Sequence, residues 1–316
     1  MSRTGVVVVT YNSAEVIDAC LDSCASLPVV VVDNASHDGT IEHVRSRSEV
    51  QLIANPANLG FAAAVNQGVA ALGTEFALLL NPDVCLRTPV EALAAACAQT
   101  GAGAATGTLL NASGSPQRGF NVRRFPTPAS LSFEVLGLNR LFPWNPVNRR
   151  YRCLDFDYSA GGEIEQPPGA FLMFRRDVWE QLGGFDTQFH PLWFEDVDFT
   201  KRARSAGIKI VFVPSVVATH RGGHAVGQLD WATRELYWYA SLLKYASKHF
   251  RPYALRVLSA AVMLGSVLRA VAGTTQMRSF KPISVYAKVV RLAILCMFSG
   301  RVQEPGVLPG YSKAVG

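Results

Sequence analysis

The sequence predicts an α/β fold, with a mostly parallel central sheet covered by helices on both faces. Two observations carry that expectation. Short β-branched or aliphatic runs, each leading into a polar residue, recur at 5–10, 29–33, 51–54 and 75–80. Between them lie segments whose apolar residues return at helical spacing, and a strand–helix–strand rhythm at this pace fits parallel pairing. A chain of 316 residues, 49% apolar and 17% charged, can build a sizeable core. Those proportions exclude a disordered, collagen-like or disulfide-stapled chain.

Residues 5–10 read as the first strand, and in 13–24 Val16, Ile17, Cys20 and Leu21 share one helical face. Strands follow at 29–33 and 51–54, a helix of small residues at 60–71 and a strand at 75–80. Thr88, Pro89 and Glu91 read as cap, first-turn proline and capping-box acid of a helix reaching Cys97. Residues 111–164, rich in Arg, Pro, Asn, Gly and aromatic side chains, lose the rhythm and read as a mobile excursion or as substrate-facing loops. Order returns with a strand at 169–174, helices at 177–182 and 197–206, and a strand at 208–213 running into a turn at Pro214. From Trp231 onward the chain reads as helical. These bounds suggest one domain at 1–250, with halves at 1–110 and 111–250, and a basic, apolar helical extension at 251–316.

The net charge of +6 is unevenly spread. Residues 1–220 carry 17 Lys or Arg against 21 Asp or Glu, and residues 221–316 carry 13 against 3. The basic segment has no zinc finger, RNP-like strand or aromatic platform, so nucleic acid is not the expected partner. Its charges interleave with apolar runs, which suits an anionic membrane surface or an anionic lipid substrate. The run between Arg256 and Arg269 falls short of the roughly 20 residues a spanning helix needs, so attachment to one leaflet competes with packing on the domain. Cys20, Cys24, Cys85, Cys97, Cys153 and Cys296 form no CxxC pair and read as free thiols of a reducing compartment. The apolar run at 6–9 is too short and too abruptly polar for an export signal.

Open parallel sheets bind ligands beyond the carboxyl ends of their strands, so polar residues there are the candidate site. Thr10, Tyr11 and Asn12 follow the first strand and Asp33 ends the second, without the GxGxxG fingerprint of nicotinamide and flavin sites. Asn81, Pro82 and Asp83 follow the strand at 75–80; Pro82 stops the ladder and leaves Asp83 at the rim. Such a carboxylate suits a hard divalent cation that also binds substrate phosphates. Glu195, Asp196 and Asp198 open a helix behind Trp193 and Phe194, and first-turn amides favour their negative charge. His220, with His224 as the alternative, supplies an imidazole beside Gly222 and Gly223. Turn formation or capping explains each of these singly; together they point to a metal–diphosphate site.

In order, these segments resemble the inverting glycosyltransferases of family two, with the GT-A fold, over about residues 5–250. The matching pieces are Val-Val-Thr-Tyr-Asn at 8–12, Val-Asp-Asn-Ala-Ser-His-Asp-Gly-Thr at 32–40, Asn-Leu-Gly-Phe-Ala at 58–62, Asn66, Gly68 and Asn-Pro-Asp at 81–83. Gly-Ala-Phe at 169–171, Gly-Gly-Phe-Asp at 183–186, Glu-Asp-Val-Asp at 195–198 and His-Arg-Gly-Gly at 220–223 complete the set. Within the family the likeness is to a rhamnosyltransferase-like branch. The resemblance implies a Rossmann-like sheet with a helical C-terminal extension. It implies that Thr10, Tyr11 and Asn12 line a nucleotide pocket in which Asp33 accepts from a pyrimidine N–H. Asn58, Gly60 and Asn66 would shape the sugar-nucleotide side. Asp83 takes the second acid of an Asp-x-Asp motif, whose first acid is Asn81 here, and holds Mg²⁺ or Mn²⁺ with His220. Asp196 takes the place of the catalytic base, with Glu195 in support.

The implied reaction moves rhamnose from dTDP-rhamnose to a cell-surface glycan or lipid-linked saccharide. The alternatives are a UDP-sugar donor and a catalytically inactive nucleotide- or glycan-binding assembly module. Acceptor recognition is expected from 111–164, including Arg123, Arg124 and Trp144, with His190 and Trp193 near the base. The implied location is cytoplasmic, peripheral on the inner face of the cell membrane.

Overall fold

The computed structural model describes residues 3–302. The chain opens with β1 (Thr4–Thr10), α1 (Ile17–Ser23), β2 (Val29–Asp33), α2 (Thr40–Arg45), β3 (Val50–Ala54), α3 (Phe61–Ala71) and β4 (Phe76–Leu80). It continues through β5 (Val84–Leu86), α4 (Glu91–Cys97), β6 (Ala102–Leu110), α5 (Pro128–Val135), α6 (Leu138–Leu141) and α7 (Pro146–Tyr151). Then follow β7 (Gly162–Ile164), β8 (Phe171–Arg175), α8 (Arg176–Leu182), α9 (Glu195–Ser205) and β9 (Lys209–His220). The described chain closes with α10 (His224–Gly227), α11 (Trp231–His249), α12 (Pro252–Met277) and α13 (Lys281–Ser299).

The strands form one sheet in the order β3-β2-β1-β4-β8-β6-β9-β5, with β7 also paired to β9. The first four are parallel. β8 runs antiparallel to β4 and β6, β6 and β9 are parallel, and β7 and β5 pair antiparallel with the start and end of β9. The unbroken apolar runs follow from burial on both faces. Val6 and Val8 pack with Ile17, Leu21 and Leu93 of α1 and α4, whereas Val7 and Val9 pack with Val65, Val69 and Trp179 of α3 and α8. Gly68 sets the distance of α3 from the sheet, since a Cβ there would lie 2.5 Å from Val7 Cγ1.

Four features depart from the sequence expectation for identifiable reasons. Val90, not Thr88, precedes α4; Thr88 Oγ1 instead accepts from Val217 N at 2.8 Å, tying the helix approach to β9. β9 does not end at Pro214 but runs on to His220. The ladder with β6 shifts register between Gly107 and Thr108, so Pro214 falls in a bulge where its missing N–H breaks no pairing. β6, poor in β-branched residues, gives no strand signal of its own and is held between β8 and β9. The 111–164 segment carries three short helices, two of them capped by Thr127 and Asn145 ahead of a first-turn proline.

A third apolar cluster joins α5, α9, α11, α12 and α13 through Leu131, Val135, Val197, Leu242, Leu258 and Val289, and so draws on both sides of residue 250. α12 is bolted to α5. A Cβ at Gly265 would fall 2.0 Å from Val135 O, and Arg269 donates to the carbonyls of Val135 and Glu134. The six thiols are free, with Cys20, Cys24, Cys97 and Cys296 buried.

Asp198 fastens α9 to the end of α11. Its buried carboxylate accepts from Arg202 Nε, Lys248 Nζ and His249 Nε2, each at 2.8 Å. Burial pushes its pKa up, but the bonds from His249, Lys248 and Arg202 prevail and hold it at about 2. Asp198→Asn is expected to cost about 3 kcal/mol at neutral pH, the low end for a broken buried pair because Arg202 and Lys248 are partly exposed. The folded pKa lies below the ordinary 3.8, so this contribution is complete above that value and lost as pH falls through about 2. Urea titrations of both proteins at descending pH should show their stability difference closing over that window; a difference independent of pH contradicts the assignment.

Candidate active site

The carboxyl ends of β1 and β4 and the end of β9 open onto a cavity of about 660 Å³. Thr10, Tyr11, Asn58, Asn81, Asp83 and His220 line it, and so do Gly169, Trp193, Glu195, Asp196, Arg123 and Arg152. The sequence-named residues Asp83, Asp196 and His220 therefore share one cleft.

Asp83 and His220 meet because Val84, the first residue of β5, pairs with His220, the last of β9. Both side chains are almost fully buried, with His220 Nε2 3.5 Å from Asp83 Oδ1. Gly222 N donates to Asp83 Oδ2 at 3.0 Å. Gln117 orients the imidazole: its Nε2 donates to His220 O at 2.8 Å, which leaves Oε1 facing His220 Nδ1 at 2.9 Å. With Oε1 as its partner Nδ1 is the donor, so Nε2 is the nitrogen turned toward the Asp83 carboxylate. Phe120 stacks on the same ring at 5.3 Å. A carboxylate and an imidazole nitrogen converging in this way suit a divalent cation. Among the described residues no group of three His, Cys, Asp or Glu could hold a metal ion, so further ligands would come from substrate phosphates and water.

At the same cavity, α9 begins under backbone strain. Trp193 and Phe194 have φ of 74° and 72°, a region that large side chains rarely adopt. Asp196 Oδ2 accepts from Gly169 N and Oδ1 from Val197 N, both at 2.8 Å. Burial raises the Asp196 pKa against these two bonds and the charge of Arg123. Glu195 is more deeply buried, its Oε2 has no hydrogen-bond partner among the described residues, and burial together with the charges of Asp196 and Asp198 pushes its pKa well up. A raised carboxyl pKa makes a stronger base when ionised and keeps a neighbouring carboxyl protonated.

Other sequence-named residues act behind the lining. The Asp33 carboxylate is wholly buried, accepting from Thr10 Oγ1 at 2.8 Å and from Ser36 N at 2.9 Å. The structure thus sets Asp33 under the loops that end β1 and β2 instead of at the cavity wall. Asn12 joins the same loops, its Oδ1 accepting from His37 N at 2.8 Å. Asn58 Oδ1 accepts from Gly60 N at 2.9 Å, and Gly60, at φ 85°, leaves room for His190 and Pro191, to which a Cβ would come within 3.2 Å. Asn66 does not reach the cavity: its Nδ2 donates to Phe185 O at 2.9 Å and its Oδ1 accepts from Phe185 N at 3.0 Å.

Trp193 lines the cavity and His190 does not, and Arg123 lines it while Arg124 and Trp144 border a separate groove with Arg149 and Arg150. The His224 side chain lies outside the described residues. Sequence reasoning missed Gln117, Tyr151 and Arg152, since single polar residues in an irregular segment carry no periodic signal.

A Rossmann-like sheet with acids and a histidine at its strand ends defines a glycosyltransferase of the GT-A type. The chain belongs to Glycosyl transferase family 2, whose profile matches residues 5–183, and a Glycosyl transferase family 21 profile matches residues 161–311. It is 30% identical over 246 residues, 71% of this chain and 77% of the relative, to the N-acetylglucosaminyl-diphospho-decaprenol L-rhamnosyltransferase of Mycobacterium tuberculosis. It is 24% identical to the pre-mycofactocin glycosyltransferase of the same organism, over 84% of this chain and about half (52%) of that protein. Among solved structures it is similar to the mannosyltransferase PcManGT of Pyrobaculum calidifontis in complex with GDP-Man and Mn²⁺. That likeness has a TM-score of 0.52 at 20% identity and covers 92% of this chain and 80% of the other. TarS of S. aureus, in complex with UDP-GlcNAc, aligns over 99% of both chains with a TM-score of 0.50 at 16% identity.

Asn66→Ala should remove two bonds that hold the Gly184–Phe185 turn, costing about 2 kcal/mol. Denaturant titration should register that loss while the affinity for a nucleotide-sugar stays within a factor of about two. A selective loss of donor affinity with unchanged stability would return Asn66 to the binding surface.

Proposed function

We propose that the protein is a metal-assisted inverting transferase that moves rhamnose from dTDP-rhamnose onto a lipid-linked saccharide or cell-surface glycan. It would act in the cytoplasm, peripherally bound to the inner face of the membrane. The observation that carries this reading is the convergence of the Asp83–His220 pair and Asp196 on one cavity. The nucleotide is assigned to Thr10, Tyr11, Asn58 and Asn81, with Asn12, Asp33 and Gly60 shaping the loops behind them. The rhamnosyl donor is supported by the 30%-identical relative, and the dTDP carrier by the sequence resemblance.

Mg²⁺ or Mn²⁺, held by Asp83 and His220, would supply positive charge to a departing diphosphate. The paired carboxylate and imidazole fit such an ion, and an imidazole ligand suits Mn²⁺ better than Mg²⁺. Asn81 contributes an uncharged side chain where the motif otherwise has its first acid, which favours binding of the ion together with the donor. Asp196 accepts the proton of the acceptor hydroxyl as its oxygen attacks the anomeric carbon on the face opposite the diphosphate, so the configuration inverts. The leaving diphosphate is already a good anion, and one base therefore suffices. Gly169 N and Val197 N fix the carboxylate, and Glu195 supports it from behind.

A thermal-shift screen of the purified chain against dTDP-, UDP- and GDP-sugars, with and without Mn²⁺, tests the donor. Stabilisation greatest with dTDP-rhamnose and Mn²⁺ is expected; greater stabilisation by a UDP-sugar would replace the donor class. Asp196→Asn should keep the donor-induced shift while kcat falls by about 10²–10⁴-fold. Turnover equal to wild type would reject Asp196 as the base. Asp83→Ala should weaken Mn²⁺-dependent donor binding by about tenfold or more. Unchanged affinity at limiting Mn²⁺ would remove Asp83 from the ion site.

A further inference from the structure

Three observations outside the cavity concern α12, α13 and the loop after α6, elements linked through α5. α12 has two apolar sides. Ala254, Leu258 and Val262 pack inward, while Val257, Leu264, Val267, Leu268 and Val271 form an exposed stripe at helical spacing, with Leu264 56% and Val271 67% exposed. On α13, Ile283, Ile294 and the 82%-exposed Phe298 continue outward among the exposed Lys288 and Arg291. Next, the loop after α6 presents Phe142 at 64% and Trp144 at 72% exposure on a braced frame. Asn145 Nδ2 donates to Phe142 O and Asn139 Oδ1, Asn148 Nδ2 donates to Pro143 O, and Asn139 Nδ2 donates to Glu134. These bonds brace the backbone that carries both exposed rings. Lastly, no Asp or Glu occurs between Glu235 and Glu304, an interval with ten Lys or Arg.

We infer that the outer faces of α12 and α13, together with the Phe142–Trp144 loop, form a docking surface for an anionic lipid bilayer, with the two helices lying in the membrane plane. Exposed aliphatic side chains enter the acyl boundary, aromatic rings sit at the headgroup level, and basic residues snorkel to anionic headgroups. Both helices are long and apolar enough to cross a membrane, but their fastenings oppose it. The middle of α12 is tied to α5 by Gly265 and Arg269, and Tyr286 of α13 donates to Glu235 of α11. A spanning hairpin would also carry Arg278 and Lys281 across the hydrocarbon. The same α5 lends Leu131 and Glu134 to the cavity wall. A membrane under α12 therefore lies beside the acceptor half of the site, and this last step rests on the lipid-linked acceptor proposed above.

The test is flotation of the purified full chain with vesicles of phosphatidylcholine alone or mixed with phosphatidylglycerol. Binding to the mixed vesicles should exceed binding to neutral ones by about tenfold and fall as salt is raised. Phe142→Asp combined with Leu264→Asp, both at exposed positions, should lower vesicle binding at least about tenfold while melting temperature and donor-induced shift stay as in wild type. Transfer to a water-soluble acceptor should persist in that variant while transfer to a vesicle-embedded lipid acceptor drops. Equal flotation of variant and wild type, or no flotation with anionic vesicles, overturns the surface. Resistance to carbonate extraction would replace it by a spanning hairpin, and a dimer in light scattering that Leu264→Asp dissolves would replace it by self-association. Vesicle binding without transfer from any donor would leave the surface standing and reject the reaction instead.

Discussion

Three residues of β5 lying antiparallel against the last three of β9 hold the polar half of the site together. β4 and β5 are four strand spacings apart in sheet order, about 19 Å, yet Val84 follows Leu80 by only four positions, a reach of at most about 14 Å. The sheet must close that gap by bending. β6 pairs with β8 only at Ala104 and Ala105, and its register with β9 shifts at Gly107. Beyond that bulge the ends of β6 and β9 are free of β8 and can swing toward β4, carrying His220 to Asp83. Pro214 sits in the bulge and so belongs to the architecture of the site.

At the start of α9, three acids within four positions would repel one another in water-poor surroundings. Their environments separate them. Asp198 is drawn away by Arg202, Lys248 and His249 and held at about 2, so it remains a permanent anion serving attachment. Glu195 has no partner for Oε2 among the described residues and is pushed far in the opposite direction, which favours its neutral form. Asp196 lies between these extremes, with two backbone N–H donors against the cost of burial. Of the two of these acids that line the cavity, Asp196 is the one whose carboxylate is held by two backbone N–H donors, and it follows the strained turn at Trp193 and Phe194.

Much of the donor half was legible because its signals are local: apolar runs mark β1, β2 and β4, and the polar residues that end them fall at the carboxyl edge. Asp83 could be named from such a strand end, Asp196 from an acidic helix start and His220 from an imidazole beside two glycines, and the family resemblance implied that they share one site; the register shift in β9 that brings His220 to Asp83 has no local pattern to encode it. β6 was invisible because Ala and Gly become strand-forming there only through burial between neighbours. In 111–164, Thr127-Pro128 and Asn145-Pro146 were readable helix starts, masked by the irregular composition around them. For Asp33 and Asn66, which the resemblance assigns to the nucleotide pocket and the sugar-nucleotide side, the motif gives no sign of the hydrogen bonds that both make to the protein's own loops.

The helical layer is part of the site rather than an attachment to it. α5 lends Leu131 and Glu134 to the cavity and receives α12 on its other side through Val135 O and Glu134 O. Glu134 also pairs with Arg152, so the helix that meets α12 positions one of the two arginines bordering the acceptor half. Leu229, Trp193 and Trp238 make the remainder of that half apolar. Apolar and aromatic walls with two cations suit a saccharide whose anionic linkage lies some distance from the reacting hydroxyl. Inversion requires the incoming hydroxyl and the departing diphosphate to occupy opposite faces of the sugar. On the reaction proposed above, Asp83 and His220 at strand ends and Asp196 with Trp193, Trp238, Arg123 and Arg152 border the same cavity, so that groups suited to a departing diphosphate and to an incoming hydroxyl face one space.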